Sequence, residues 1–333
     1  MQVVFDASLL PYNTFGMDVK AKIFAEYGSV DELCGLLRQY SSEKILHIGA
    51  GSNLLFTRDF DGMVLHSAMR RARCVREDND YVWIEADNGL VLDELIAQLC
   101  DMGISGMENL SYIPGEVGAS AVQNVGAYGV EAKDVIDEVE CLRLSDASLF
   151  RMSNAVCHFD YRDSIFKRDL RGKCIITHVV YKLNKHFEPK LDYGNLRSEV
   201  RDEISPMTVR EAVIRIRKQK LPEVSELGSA GSFFKNPMVP QEQANALLAL
   251  YPNMPHFEVQ SSNLTKIPAA WLIEQCGWKG KTLGGAQCYP KQPLVLVNAN
   301  HATPQDIINL AEAICTDVKN KFNITITPEE TYI

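Results

Sequence analysis

The spacing of apolar positions divides the first third of the chain into alternating helices and strands. Leu33, Leu36, Leu37 and Tyr40 share one helical face and predict a helix over 30–40. The run KILHI over 44–48 reads as a short buried strand. Met63-Val64-Leu65-His66, entered from Gly62, is a second, and YVWIE over 81–85 a third. Leu92, Leu95, Ile96 and Leu99 mark another helix, which Gly103 ends. From Ser105 to Gly129 the periodicity gives way to Gly, Ala, Ser and Asn, and strands resume over 139–144 and 174–183. The segment 188–195 carries Pro and Gly and 202–206 is polar, which sets a boundary near residue 203. Beyond it, helices are predicted over 208–220, with Val209, Val213 and Ile216 inward, and over 268–276, opened by Pro268 and stopped by Gly277. Thr303-Pro304-Gln305-Asp306 starts a last helix whose apolar face is read as Ile308, Ala311, Cys315 and Val318. The fold class is α+β.

A length of 333 residues predicts two or three domains. A hydrophobic share of 46% and a charged share of 23% place the chain among soluble globular proteins, and no apolar run is long enough to span a bilayer. Met1 to Gly16 holds Asp6 and no Lys or Arg, unlike a signal peptide, so a cytoplasmic protein is expected. Net charge is −9, and the densest basic stretch, Met69 to Arg73, is followed by Glu77, Asp78 and Asp80. That pattern argues against a nucleic-acid partner. The nine cysteines contain no C-x-x-C pair, and the seven histidines show no ligand spacing. No metal is expected, and the cysteines are read as reduced and mostly buried.

Five motifs bear on chemistry. Ile48-Gly49-Ala50-Gly51-Ser52-Asn53-Leu54 follows a strand, and its glycines allow backbone N–H groups to face a phosphate. Leu54 stands where a dinucleotide fingerprint has its third glycine and no long helix follows, so a tight structural loop is the competing reading. The run Ile113-Pro114-Gly115-Glu116-Val117-Gly118-Ala119-Ser120 continues through Asn124, Gly126, Ala127, Tyr128 and Gly129. It suits either close approach of a flat cofactor or a tight helix–strand crossing. Tyr161-Arg162-Asp163-Ser164 offers a guanidinium for a carboxylate, or a surface Arg–Asp pair. Gly231-Ser232-Phe233-Phe234 places a hydroxyl beside two rings, compatible with a dry pocket, without the residues of a nucleophile elbow. Pro328-Glu329-Glu330 puts two carboxylates near the chain end, which in isolation are solvated.

In this order, and together with Asn13-Thr14-Phe15-Gly16 and Lys220-Leu221-Pro222, the motifs resemble those of the UDP-N-acetylenolpyruvoylglucosamine reductase (MurB) family, from about Asn13 to the C-terminus. The resemblance implies an FAD-binding module of the vanillyl-alcohol-oxidase (PCMH) type in two subdomains, followed by an α/β substrate domain. The corresponding boundaries are 1–67 (with the tail 322–333), 68–203 and 204–321. It implies NADPH-dependent, FAD-mediated reduction of UDP-N-acetylglucosamine enolpyruvate to UDP-N-acetylmuramate for peptidoglycan; a monomer is expected, and from charge and apolar runs no nucleic-acid or membrane partner. By motif match the catalytic residues are Arg162, Ser232 and Glu329, with Glu330 as the alternative to the last. Flavin contacts fall on Gly49, Gly51, Ser52, Asn53, Leu54, Ile113, Pro114, Gly115, Gly118, Ala119, Ser120, Asn124, Gly126, Ala127, Tyr128 and Arg217. Substrate contacts fall on Tyr193, Lys220, Asn236 and Gln292, Tyr193-Gly194 marking the subtype with a loop over the substrate. Two departures are Ala50, where many members have glycine, and the ending Glu330-Thr331-Tyr332-Ile333, where many have Val-Arg after the glutamate. The competing readings are an alcohol or sugar oxidase on the same module and a nucleotide-sugar-binding protein without turnover.

Overall fold

The computed structural model describes residues 1–259 and 262–333, which form two compact units built from interleaved segments. The first unit takes residues 1–8, 20–50 and 59–218. Its smaller sheet consists of β1 (Gln2–Ser8), β2 (Lys20–Tyr27), β3 (Ile45–Ile48) and β4 (Phe60–Ser67) in the order β1-β2-β4-β3. The β1–β2 pair is antiparallel, and β4 runs parallel to both β2 and β3. Helix α1 (Val30–Gln39) makes the crossover after β2, with Ser29 as N-cap and Asp31 and Glu32 favourable to its positive end. Ile23, Tyr27, Leu33, Leu36, Met63 and Leu65 close the core between helix and sheet.

The larger sheet holds β5 (Ala72–Glu77), β6 (Tyr81–Asp87), β7 (Ile136–Arg143), β8 (Leu149–Ser153) and β9 (Cys174–Asn184), antiparallel in the order β8-β7-β9-β6-β5. Period-two alternation sends Val82, Ile84, Val139, Val179 and Tyr181 to one face. There they pack with Leu95, Ile96 and Leu99 of α2 (Leu92–Asp101) and Val117 and Ala121 of α3 (Val117–Gln123). Helix α4 (Pro206–Lys220) begins two residues before the expected start and buries Val209, Ala212, Val213 and Ile216 against Leu191 and Leu196. Strands β1, β2, β5 and β8 were not among the predicted elements.

The second unit takes residues 9–19, 51–58 and 219–333. It has a four-stranded antiparallel sheet (Gly228–Ser229, Leu296–Asn298, Ala286–Cys288, Thr282–Leu283), a three-stranded one, and helices α5 (Gln241–Leu250), α6 (Ala269–Gln275) and α7 (Pro304–Phe322). Thr303 and Asp306 form a reciprocal capping box at α7. Its buried face is Ile307, Leu310, Ala311, Ile314, Val318 and Phe322, while Ile308 and Cys315 lie on its flank. Ala311 and Val318 are buried as expected, but Ile308 and Cys315 give way to neighbours, a rotation of the face by roughly 50°, because the bulky Leu310, Ile314 and Phe322 set the phase. All nine cysteines are free thiols; Cys74 is exposed, and of the other eight only Cys100, Cys141, Cys157 and Cys288 are fully buried. Among the described residues no helix is long and apolar enough to cross a membrane.

Candidate active site

In the first unit the two glycine loops lie against each other. Strand β3 delivers Gly49, where an added Cβ would stand 3.0 Å from Glu116 Oε2 and 3.5 Å from Ala119 Cβ. Glu116 is the residue preceding α3. This short helix crosses the strand connections so closely that a Cβ at Gly118 would come 2.9 Å from that of Asn88. The small-residue run therefore does serve a tight helix–strand crossing. Gly118 N–H is bonded to Asn88 O at 2.9 Å, and Ser120 Oγ donates to Val117 O at 2.7 Å and meets the Tyr181 hydroxyl at 3.2 Å. Ser120 thus turns its side chain into the core, where it is buried.

The segment that leads into Ile113, Pro114 and Gly115 is held in a strained conformation by clamps on both sides of one residue. Tyr112 has a φ of 60°, which an aromatic residue seldom adopts. Its N–H donates to Asp93 Oδ1 at 2.6 Å, and its carbonyl accepts from Arg217 Nε at 3.0 Å. Burial would raise the Asp93 carboxyl, but bonds from Arg210 and from Tyr112 N–H bring it below the usual aspartate value. Burial pulls the Arg217 guanidinium below the ordinary arginine value; Tyr128 and Asp93 oppose that shift, and the like charge of Arg162 adds to it.

Further along, Gly126–Ala127 pairs with Val130–Glu131, and Tyr128 (φ 49°) and Gly129 (φ 81°) form the two-residue turn between them. Asn124 (φ 43°) fastens the hairpin: its Nδ2 donates to Asp160 O at 2.8 Å and its Oδ1 accepts from Lys133 N–H at 2.9 Å. Arg162, itself at φ 52°, donates from Nη2 to Gly126 O at 2.6 Å. Asp163 pairs with Arg168 at 3.3 Å. Tyr193 is exposed and sets its ring edge-on to Tyr128, centroids 6.0 Å apart. Asn109 ties this loop to the hairpin, donating from Nδ2 to both Tyr128 O and Lys190 O at 2.8 Å.

In the second unit, Gly51 (φ 66°) can only be glycine, because a Cβ would fall 2.0 Å from Tyr12 O. The chain end returns to the next residues of the motif: Thr331–Tyr332 runs parallel to Leu54–Leu55, and Thr331 N–H donates to Asn53 O at 3.1 Å. Beside the tail, Glu329 N–H donates to Phe233 O at 2.8 Å, Lys235 N–H to Thr327 O at 3.0 Å and Phe233 N–H to Leu294 O at 2.7 Å. These bonds gather the Ser232 loop, the Glu329–Glu330 tail and the Gln292 turn. Phe233 and Phe234 are buried, whereas Ser232 is exposed rather than enclosed, and Glu330 is more buried than Glu329. Asn236 Oδ1 caps α6 by accepting from Ala269 N–H at 2.9 Å. Lys220 ends α4 as an exposed cation. Ser52 is part-buried in the loop that follows Gly51.

Sequence reasoning missed Asn109, Tyr112, Asp93 and Glu116. The strained residues Tyr112, Asn124, Tyr128 and Arg162 all lie in or beside the second glycine loop, and only coordinates reveal a φ. Glu116, however, sits inside a quoted motif and was legible as a charged residue among small ones. Among the described residues no group of three or more His, Cys, Asp or Glu side chains is arranged to hold a metal ion.

Residues 21–153 match the family described as FAD binding domain, and residues 222–333 match UDP-N-acetylenolpyruvoylglucosamine reductase, C-terminal domain. The protein is therefore a flavin-dependent oxidoreductase, its FAD-binding module of the vanillyl-alcohol-oxidase type followed by a C-terminal domain. Along its length it is 46% identical over 330 residues to the UDP-N-acetylenolpyruvoylglucosamine reductase of Bacteroides fragilis, covering 98% of each chain. It is 41% identical over 336 residues to that of Neisseria gonorrhoeae, covering 99% of this chain and 97% of the relative. The crystal structure of the reductase from Thermus caldophilus shares the fold, with a TM-score of 0.68 at 22% identity over 99% of this chain and 98% of that one. The chain belongs to the UDP-N-acetylenolpyruvoylglucosamine reductase family.

The residues present fit FAD. Two guanidiniums, Arg162 and Arg217, supply positive charge beside a run rich in Gly and Ala. The strained turns are held by side-chain clamps, Asp93 and Arg217 on Tyr112 and Arg162 on Gly126.

Proposed function

We propose that this protein reduces the enolpyruvyl ether of UDP-N-acetylglucosamine enolpyruvate to the lactyl ether of UDP-N-acetylmuramate, a step of peptidoglycan precursor synthesis. FAD is its cofactor and NADPH its reductant. The observation that carries the reading is the end-to-end match with named reductases, 46% identity over 98% of both chains. When bound, FAD supplies hydride transfer from NADPH to the methylene carbon of the enol ether. The protein's part is to stabilise the charge that then develops on the adjacent carbon and carboxylate, and to deliver a proton there.

In this reading Arg162 is the cation for the carboxylate and Ser232 the proton donor, with Glu329 assisting from the tail. The Arg162 bond to Gly126 O and the Glu329 bond to Phe233 O support these roles, since each fixes the residue's backbone or head group to a glycine-containing loop. Gly49, Gly51, Ser52, Asn53, Leu54, Ile113, Pro114, Gly115, Gly118, Ala119, Ser120, Asn124, Gly126, Ala127, Tyr128 and Arg217 form the flavin site. Lys220 and Tyr193 meet the pyrophosphate of the nucleotide sugar, and Asn236 and Gln292 its polar edges. The proposed subdivision is 1–67 with 322–333, 68–203 and 204–321. The four-stranded sheet within 2–67 and the five-stranded sheet within 72–184 support the first boundary. A cytoplasmic monomer without a nucleic-acid partner completes the reading.

An oxidase on the same module is disfavoured, because neither glycine loop holds a histidine to tether flavin. Incubation with FAD, NADPH and the enolpyruvyl sugar should yield, by mass spectrometry, a product heavier by two hydrogens. Consumption of NADPH with unchanged sugar and peroxide release would overturn the reading.

A further inference from the structure

Beneath the first glycine loop lies a buried ionic triad that the reaction does not use. His66, on β4, has Nδ1 3.0 Å from Glu26 Oε2 on β2 and Nε2 3.0 Å from Glu116 Oε1 at the head of α3. Only 6% of the His66 side chain and 5% of the Glu116 side chain are exposed. A neutral imidazole owns one N–H, yet a carboxylate oxygen faces each ring nitrogen, so this geometry is satisfied by the imidazolium, which donates twice. Two titratable neighbours of the triad, His47 and Tyr27, are uncharged at neutral pH. His47 on β3 is driven down to about 3 by burial and by His66, and Tyr27 is raised to about 12 by burial. Phe24 stacks on the imidazole at 6.4 Å. The second Glu116 oxygen, Oε2, is the atom 3.0 Å from where a Cβ would stand on Gly49. A carboxylate therefore rests directly against a loop read as holding the diphosphate of FAD.

We propose that His66 is a positioning residue for flavin binding: doubly protonated, it fixes Glu116 against Gly49 and neutralises it, so that FAD affinity depends on the His66 proton. The inference rests on the reading of the glycine loops as the flavin site. Loss of the proton removes one of the two donated bonds and leaves the buried Glu116 carboxylate, with the part-exposed Glu26 behind it, uncompensated beside a dianionic ligand, which repels it and releases the turn before α3. The sign follows from linkage. Burial alone would lower His66, but Glu116 and Glu26 together raise it above 6.5. Binding is therefore tight at low pH and weakens as pH rises through the raised His66 value, above 6.5.

The test is FAD titration of the full-length apoprotein, followed by flavin fluorescence, between pH 6 and 8.5. The Kd should weaken by about tenfold, the equivalent of a one-unit shift of the His66 pKa on binding. Glu116→Gln, which keeps the shape and removes the charge, should flatten the profile to within about twofold by abolishing that coupling. His66→Gln should bind at all pH values as the parent does at pH 8.5. Should His66→Gln fail to fold, the Glu116→Gln profile decides alone. A flat parent profile, or an unaltered slope in Glu116→Gln, would overturn the proposal and leave the flavin site intact. A parent that binds no FAD at any pH would overturn the flavin reading and this proposal with it.

Discussion

Ser232 and Glu329 lie on adjacent backbone segments, joined through the Glu329–Phe233 bond, and each presents a side chain that is not sealed in the core. A hydroxyl that only protonates a carbanionic carbon is idle while NADPH reduces flavin. Ser232→Ala should therefore leave that half-reaction near normal and slow reoxidation by the enolpyruvyl sugar by about 10²- to 10⁴-fold. Equal slowing of both halves in stopped-flow traces would refute the assignment. The two tail glutamates separate by burial: Glu330 is 8% exposed, while Glu329 is partly open. Glu329→Gln should slow reoxidation by about 10- to 100-fold at unchanged melting temperature. Glu330→Gln should instead shift the melting temperature with the reoxidation rate preserved, and the opposite pattern would exchange the two roles. Arg162 was legible from its motif, but its left-handed φ and its grip on Gly126 O were not, because a sequence does not state which carbonyls a guanidinium will find.

Among the elements, amphipathic helices were the most legible, since a period of 3.6 is a local signal; α1, α2 and α4 stand where their apolar positions placed them. The phase of α7 slipped because several of its apolar residues fit two overlapping faces and only packing selects one. Strand β2 went unread although Ala21 and Ile23 alternate with Lys20 and Lys22, because its partners β1 and β4 are set by long-range pairing. The polar face of the larger sheet carries a ladder no sequence pattern announces: Arg151 bridges Glu85, Glu138 and Glu140, and His178 stands between Glu140 at 2.9 Å and Asp87 at 3.2 Å. Burial would lower His178, yet Asp87 and Glu140 raise it above 6.5, and their own carboxyls are held below the usual range. The histidine's stabilising share is thus complete below pH 6.5 and lost as pH rises through its folded value. The carboxylates' share is present above about pH 4.5 and lost on acidification through their depressed values. Urea titrations from pH 6 to 8.5 should show the parent losing on the order of 1 kcal/mol more than His178→Gln. Parallel slopes would mean that His178 contributes through packing alone.

For the whole molecule, the ordered set of motifs carried the family, while the way the chain is divided did not show. Residues 9–19 and 51–58 belong to the unit formed by the C-terminal third. Linear reading of composition cannot see that, because the ties are backbone bonds such as Thr14 N–H to Gly51 O and Ser229 N–H to Thr14 O. The tail pairing of Thr331–Tyr332 with Leu54–Leu55 is of the same kind. The central claim, a flavin reductase acting on an enolpyruvyl nucleotide sugar, concerns the assembled protein and is tested on it. Purified protein loaded with FAD should lose its yellow absorbance on anaerobic addition of NADPH. It should then regain that absorbance when mixed with UDP-N-acetylglucosamine enolpyruvate in the absence of oxygen. Bleaching that only oxygen reverses would contradict the account.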